Sequence, residues 1–171
     1  SVDYNNQEEL SYQLLFCEIY ICLNIQKLNG NFIIKFFDLF NYKTIQLLYL
    51  LYNCYSEITI CKPSFSRLSN SEKYIICKGF HGLDSDKLNI LKENFQNFES
   101  IFIDVPDTFI TMINKYNQLY INNQYLEIKK IIKNINKDNI INKPTLKQID
   151  YAIKWCKSYD LPINKNCIYL K

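Results

Sequence analysis

A lysine and a glutamate stand in two apolar stretches of this sequence. Lys35 lies inside the apolar run 31–37, and Glu72 opens a second run that continues to residue 78. Lysine is seldom buried without a partner, and a desolvated ammonium loses proton affinity unless a nearby carboxylate restores it. The two residues therefore predict a proton-sharing pair. The alternative is a gatekeeper lysine on an edge strand and a solvated glutamate at a strand start.

The elements that must position this pair alternate between helix and strand. Apolar residues recur every three or four positions in 7–28, and we expect that stripe to be buried. The run 31–37 is typical of a strand covered on both faces, and Gly30 is expected to be the left-handed residue that stops the preceding helix. The predicted order is helix 7–28, strand 31–37, helix 43–55, strand 57–61 and strand 72–78, and the stripe is Leu10, Leu14, Cys17, Ile21 and Ile25.

This alternation indicates an α/β fold with a mixed sheet whose last strand is antiparallel. Strand 57–61 should lie parallel to strand 31–37, because a helical crossover joins them. If strand 72–78 returns between those two, Lys35 and Glu72 fall on one rim, where open α/β sheets bind ligands. Three strands are few for a covered sheet. We therefore expect the C-terminal half of a doubly wound domain, with further sequence before Ser1.

The second half of the chain, 83–171, is polar, lysine-rich and mainly helical by pattern. Helices are expected over 83–98, over 107–136 as one or two pieces, and from Thr145, where Thr145 and Gln148 form a capping box. Leu146, Ile149, Ile153 and Cys156 are the expected buried stripe of the last helix. We therefore predict two parts, a sheet domain over 1–82 and a helical extension over 83–171 that packs on it.

Composition narrows the class of protein. Hydrophobic residues make up 48% of the 171 residues, enough for a sizeable core, and the net charge of +3 does not by itself indicate nucleic acid. Seven cysteines without paired spacing indicate reduced thiols, as in cytoplasmic or nuclear proteins. No apolar run is long enough to cross a membrane. His81 and Cys77 supply too few ligands for a metal site, so none is expected.

A set of short motifs runs through the first 80 residues: Asp3–Glu8, Gly30–Lys35, Phe37–Phe40, Leu48–Tyr52, Lys62–Pro63, Ser66–Arg67, Asn70–Tyr74 and Cys77–Gly79. These motifs resemble those of FtsJ-like ribose 2′-O-methyltransferases, above all the cap-specific, Adrift-type enzymes of eukaryotes and large DNA viruses. The resemblance is weak beyond residue 80.

The resemblance implies a Rossmann-like class I methyltransferase that uses S-adenosyl-L-methionine and a Lys-Asp-Lys-Glu tetrad. Lys35 matches the second lysine of that tetrad, and Glu72 matches the glutamate. The first lysine, the aspartate and the glycine-rich cofactor loop are expected upstream of Ser1, so this chain alone should neither bind the cofactor nor turn over. In such a site Lys35 takes the proton of a ribose 2′-hydroxyl or stabilises the alkoxide, typically worth about 10²–10⁴-fold, and Glu72 orients Lys35.

The same resemblance implies an RNA substrate, most simply capped mRNA. Ser66, Arg67 and Ser71 precede Glu72 and are predicted to contact phosphate or ribose, although Arg67 could instead pair with a carboxylate of its own loop. Nearby phenylalanines could stack on a base or belong to the core. Seven lysines between 115 and 147 form either an RNA-tracking surface or a solvated face.

The expected location is the cytoplasm, including the host cytoplasm or viral factory if the protein is viral, with the nucleus as the alternative. The helical extension could hold a protein partner. A catalytically inactive RNA- or cap-binding subunit with the same fold stays the alternative function.

Overall fold

The computed structural model describes residues 6–98, 101, 103–135 and 143–170. Residues 3–5 of the motif at 3–8 lie outside these ranges, as does residue 136 at the end of the expected helical stretch 107–136. Within the described residues the fold is a mixed α/β arrangement of five helices and three strands. The helices are α1 (Gln7–Ile25), α2 (Tyr42–Tyr52), α3 (Ser85–Asn94), α4 (Asp107–Ile135) and α5 (Leu146–Ser158), and the strands are β1 (Phe32–Phe36), β2 (Tyr55–Cys61) and β3 (Lys73–Phe80).

The three strands form one sheet in the order β1-β3-β2. Strand β3 lies between the other two and runs antiparallel to both, so β1 and β2 are parallel. The last strand therefore takes the place between the other two that the sequence analysis considered, and its antiparallel direction is confirmed. Both pairings are antiparallel, so the described strands form an antiparallel sheet and not the expected mixed one. In the register of the first pair, Lys35 lies opposite Tyr74 and Phe36 lies opposite Lys73. Residues directly opposite each other share a face, so these two pairs belong to opposite faces of the sheet.

We call the face of Phe36, Lys73 and Ile75 the inner face, because these residues are buried in the core. The face of Lys35 and Tyr74 is the outer face. The expectation that the first strand is covered on both sides is wrong for the described residues: Ile33 is 63% exposed and Lys35 is also exposed. In the sheet that the structure describes, strand β1 pairs on one side only, and its buried residues, Ile34 and Phe36, lie on the inner face.

Helix α1 confirms the predicted helix, but the side of the helix that is buried is not the expected one. The expected stripe of Leu10, Leu14, Ile21 and Ile25 is exposed, whereas the buried residues are Glu8, Tyr12, Leu15, Phe16, Ile19, Cys22 and Leu23. Because the helix is apolar on more than one side, the three-to-four spacing fits two faces, and packing on the sheet selects the one with the aromatic rings. The left-handed residue after the helix is Asn29 (φ 62°), not Gly30.

Helix α2 is buried almost all round, as its sequence predicts, and its first turn is capped from a distance. The Glu8 carboxylate, on α1, accepts hydrogen bonds from the backbone N–H groups of Phe40 (3.1 Å) and Asn41 (3.0 Å). Glu8 is itself buried. A negative charge at a helix N-terminus satisfies unpaired N–H groups and complements the helix dipole. Glu8 therefore fixes the chain that leaves β1 and enters α2.

Chain packing divides the protein into two compact units, 1–128 and 129–171. The first unit contains the sheet, α1 to α3 and most of α4, which is one continuous helix. The predicted division at residue 82 concerns a family domain rather than a packing unit, and it stays a prediction. None of the described helices is long and apolar enough to cross a membrane.

Helix α5 in the second unit begins with the predicted capping box. The Thr145 hydroxyl accepts from the backbone N–H of Gln148 (3.3 Å), and the Gln148 side chain accepts from the backbone N–H of Thr145 (2.8 Å). Its expected buried stripe is wrong, because no residue of α5 is buried and Leu146 is 85% exposed. Ile149, Ile153 and Cys156 are half-buried beside an open apolar groove.

Candidate active site and nucleic-acid interface

Lys35 and Glu72 lie on the same outer face, at the same end of adjacent strands. Lys35 is opposite Tyr74 in the register, and the Tyr74 hydroxyl donates a hydrogen bond of 2.8 Å to a carboxylate oxygen of Glu72. That hydrogen bond raises the pKa of Tyr74. Glu72 precedes Tyr74 by two residues, so in an extended chain both side chains point to one side. Tyr74 is therefore the register partner of Lys35 and the hydrogen-bond partner of Glu72.

The Lys35 side chain is exposed, and the ammonium lies 5.0 Å from the centre of the Phe37 ring. The expectation of a desolvated lysine is therefore wrong for Lys35 in the described chain. Among the described residues, Lys35 and Glu72 form no ion pair. The strand order brings their backbones together, and the role of the pair stays a prediction.

The buried lysine of this site is Lys73, on the inner face. It is 3% exposed, and its ammonium donates to the carbonyl oxygens of Phe37 (2.7 Å) and Ser71 (3.0 Å). An oxygen of Asp38 lies 3.6 Å away. Burial lowers the pKa of Lys73, and the Asp38 carboxylate partly opposes that effect. The neighbour of Glu72, rather than Lys35, is thus the desolvated amine.

A second lysine, Lys62 at the end of β2, anchors the loop that leads to Glu72. Its ammonium donates to the carbonyl oxygens of Glu72 (2.7 Å) and Asn70 (3.0 Å) and to the Asn70 side chain (2.9 Å). Burial and the nearby positive charge of Lys73 lower its pKa. In the sequence, Lys62 stands out only as part of the Lys62–Pro63 motif. The available signal was a lysine followed by proline where an apolar strand ends.

The loop 62–72 carries the predicted RNA contacts. Arg67 is exposed, whereas Ser66 and Ser71 are half-buried. Within the part of the chain that the structure describes, Arg67 forms no ion pair with a carboxylate, so its guanidinium is open to a ligand. An open polar cavity of about 500 Å³ lies beside the loop. Its lining includes Gln7, Asp38, Arg67, Ser69, Asn70, Ser71 and Gln124. Ser66 does not line this cavity.

Helix α4 reaches this region from outside the stretch with the family motifs. The Gln124 side chain donates to the carbonyl oxygen of Ser69 (3.2 Å), and the buried Asn117 donates to the carbonyl oxygen of Leu39 (2.7 Å). These positions are seven residues apart, so they lie on one side of the helix. Nothing in the sequence pattern marked them, because single carboxamides on a polar helix are usually solvated.

Comparison with known proteins matches residues 1–80 to the FtsJ-like methyltransferase family. The chain is 37% identical over 140 residues to the mouse cap-specific mRNA (nucleoside-2′-O-)-methyltransferase 1, which covers 75% of this chain and 17% of the mouse protein. The human protein of that name is 41% identical over 102 residues, 56% of this chain and 12% of the relative. The Drosophila melanogaster protein is 47% identical over 74 residues, 43% and 9% respectively. The chain therefore spans less than a fifth of these relatives.

Proposed function

We propose, from the premise that residues 1–80 belong to the FtsJ-like methyltransferases, that a protein containing this chain methylates ribose 2′-hydroxyl groups of RNA. Capped mRNA is the proposed substrate class, since the relatives are named as cap-specific mRNA methyltransferases. The observation that carries the proposal is the position of Lys35 and Glu72 on one face, at one end of adjacent strands.

In this proposal, Lys35 accepts the proton of the attacking hydroxyl or stabilises the alkoxide, and Glu72 orients the amine. The exposed Lys35 is free to move toward a bound ribose, and Tyr74 holds Glu72 until that happens. A proton acceptor placed in this way contributes about 10²–10⁴-fold to a rate. Tyr74 is a candidate for the same network, since its hydroxyl already touches Glu72.

Arg67 and Ser71 supply the proposed contacts to the RNA backbone. A guanidinium binds phosphate through two parallel hydrogen bonds, and a hydroxyl can reach phosphate or ribose. Both residues line the open cavity beside the loop 62–72. Ser66 completes the set as a flanking contact, and the exposed rings of Phe40 and Phe65 offer surfaces on which a base could stack.

The family implies S-adenosyl-L-methionine, which supplies the transferred methyl group. The described residues do not fit a complete binding site for it. The chain has three glycines, at positions 30, 79 and 82. Of these, Gly82 lies in a loop between a strand and a following helix, β3 and α3, and a single glycine does not form a glycine-rich loop. A glycine-rich cofactor loop therefore has to come from other residues of the active protein. The assigned roles of this chain concern the hydroxyl and the RNA.

The test uses a complete protein that contains this chain, with capped RNA as substrate and S-adenosyl-L-methionine as donor. Lys35→Ala should lower turnover by roughly 10²-fold or more, in line with loss of a general base, and leave cofactor affinity within about twofold. Lys78→Ala is the matched control, because Lys78 is an exposed lysine on β3 that pairs with Glu57. Equal turnover in the wild type and Lys35→Ala would refute the catalytic role.

An RNA-binding subunit without activity is the second candidate function. The observation in its favour is that Glu72 is bound by Tyr74 and not by Lys35. In that case the complete protein binds capped RNA in an Arg67-dependent way and transfers no methyl group. Measuring RNA affinity and methyl transfer on the same preparation separates the two candidates.

A further inference from the structure

We propose that Lys73 is a positioning residue for the outer-face site, tying the segment after Lys35 to the segment before Glu72. The inference rests on the proposed function, because it assigns a task within the same site. Lys73 itself faces away from that site. It acts through the backbone of the two segments that carry the proposed catalytic groups.

The contacts of the ammonium define this task. Phe37, whose carbonyl oxygen accepts at 2.7 Å, follows Lys35 by two residues, and Ser71, whose carbonyl oxygen accepts at 3.0 Å, directly precedes Glu72. One buried group thus joins both segments at the point where β1 ends and β3 begins. A shift of either segment would break a charge-assisted hydrogen bond, which is stronger than a neutral one.

The surroundings of Lys73 hold the ammonium in place. Asp38 supplies the opposite charge at 3.6 Å, and the ring of Tyr120 on α4 has its centre 5.3 Å from the ammonium. One turn earlier on that helix, Asn117 holds the carbonyl oxygen of Leu39. The connection between β1 and α2 is therefore held from two sides.

The cost of burying a charge favours a positioning role over a purely stabilising one. A buried ion pair is often no more stabilising than well-packed apolar residues of similar volume. Methionine at position 73 could fill the same space but could not reach two carbonyl oxygens. The lysine therefore contributes two hydrogen bonds that hold the segment after Lys35 at a fixed distance from the segment before Glu72.

The first experiment compares Lys73→Met with Lys73→Arg in the complete protein, by steady-state methyl transfer to capped RNA. The methionine variant should lose about tenfold or more in kcat, while KM for the methyl donor stays within about twofold. Arginine keeps the charge and donors, so it should restore at least half of the lost activity on a logarithmic scale. An unchanged kcat in Lys73→Met, or equal losses in both variants with normal thermal unfolding, would overturn the inference.

A second readout does not depend on activity, so it separates this inference from the proposed function. Amide hydrogen exchange in Lys73→Met should speed up about tenfold at residues 37–41 and 69–72, with β2 and the second half of β3 unchanged. If Lys35→Ala keeps full turnover while this local effect appears, the proposed catalysis fails and the positioning stands. No local change in exchange, or a uniform increase over the whole chain, contradicts the positioning role. If Lys73→Met does not fold, the same comparison is made with Lys73→Arg, for which exchange at both segments should match the wild type; faster local exchange in that variant also contradicts the inference.

Discussion

The lysines on the two faces of the sheet differ in burial. On the outer face Lys35 is exposed, although apolar residues surround it in the sequence. On the inner face Lys73, beside a glutamate in a polar stretch, is 3% exposed and bonded to two carbonyl oxygens. Burial in a strand depends on which side the residue faces, since neighbours in sequence point in opposite directions. The apolar context of a charged residue therefore does not show whether it is desolvated.

The largest effect that distinguishes the two faces is the loss of core packing. Phe36→Ala removes a fully buried ring from the inner face, so it should reduce the free energy of unfolding by about 3–5 kcal/mol. Ile33→Ala is the control on the same strand, on the exposed side. It should change stability by no more than about 0.5 kcal/mol. Chemical denaturation measures both values, and similar losses would show that the two faces are equally covered.

A smaller effect is expected from the loss of Glu8, the buried carboxylate of α1. Glu8→Ala removes the acceptor for the N–H groups of Phe40 and Asn41, so it should cost about 1–3 kcal/mol. Glu9→Ala is the neighbouring control. Glu9 is mostly exposed and pairs with Lys43, so its loss should cost no more than about 1 kcal/mol. Thermal unfolding of the two variants provides the comparison, and a larger loss in Glu9→Ala would contradict the capping role.

The strand directions could be predicted because they follow from connectivity, whereas the place of β3 between its neighbours was one arrangement that the connections allow. Two strands joined through a helix usually run parallel, and a strand that returns after a loop is most simply antiparallel. The capping box of α5 was also readable, because Thr145 and Gln148 have the required types and spacing. These features depend on residues that are close in sequence, so residue type and spacing are enough to predict them.

The orientation of α1 could not be predicted, because its sequence is apolar on two sides. Leu10 and Ile21 fit the helical period as well as Tyr12 and Ile19, and only the second pair meets the core. For the same reason the contacts of Asn117 and Gln124 could not be anticipated. They depend on where α4 lies in the first unit, which no local pattern specifies. The stripe of α5 differs again: three of its four residues are half-buried, Leu146 is exposed, and no residue of that helix is buried.

Lys35 and Glu72 are proposed to work as one unit. Single-turnover methyl transfer to capped RNA tests this proposal most directly, with complete proteins carrying Lys35→Ala, Glu72→Gln and both changes. Residues that act together are strongly non-additive. If Lys35 and Glu72 act as one unit, the double variant reacts at about the rate of Lys35→Ala alone. Losses that multiply in the double variant would show that the two residues act independently, and would contradict the account.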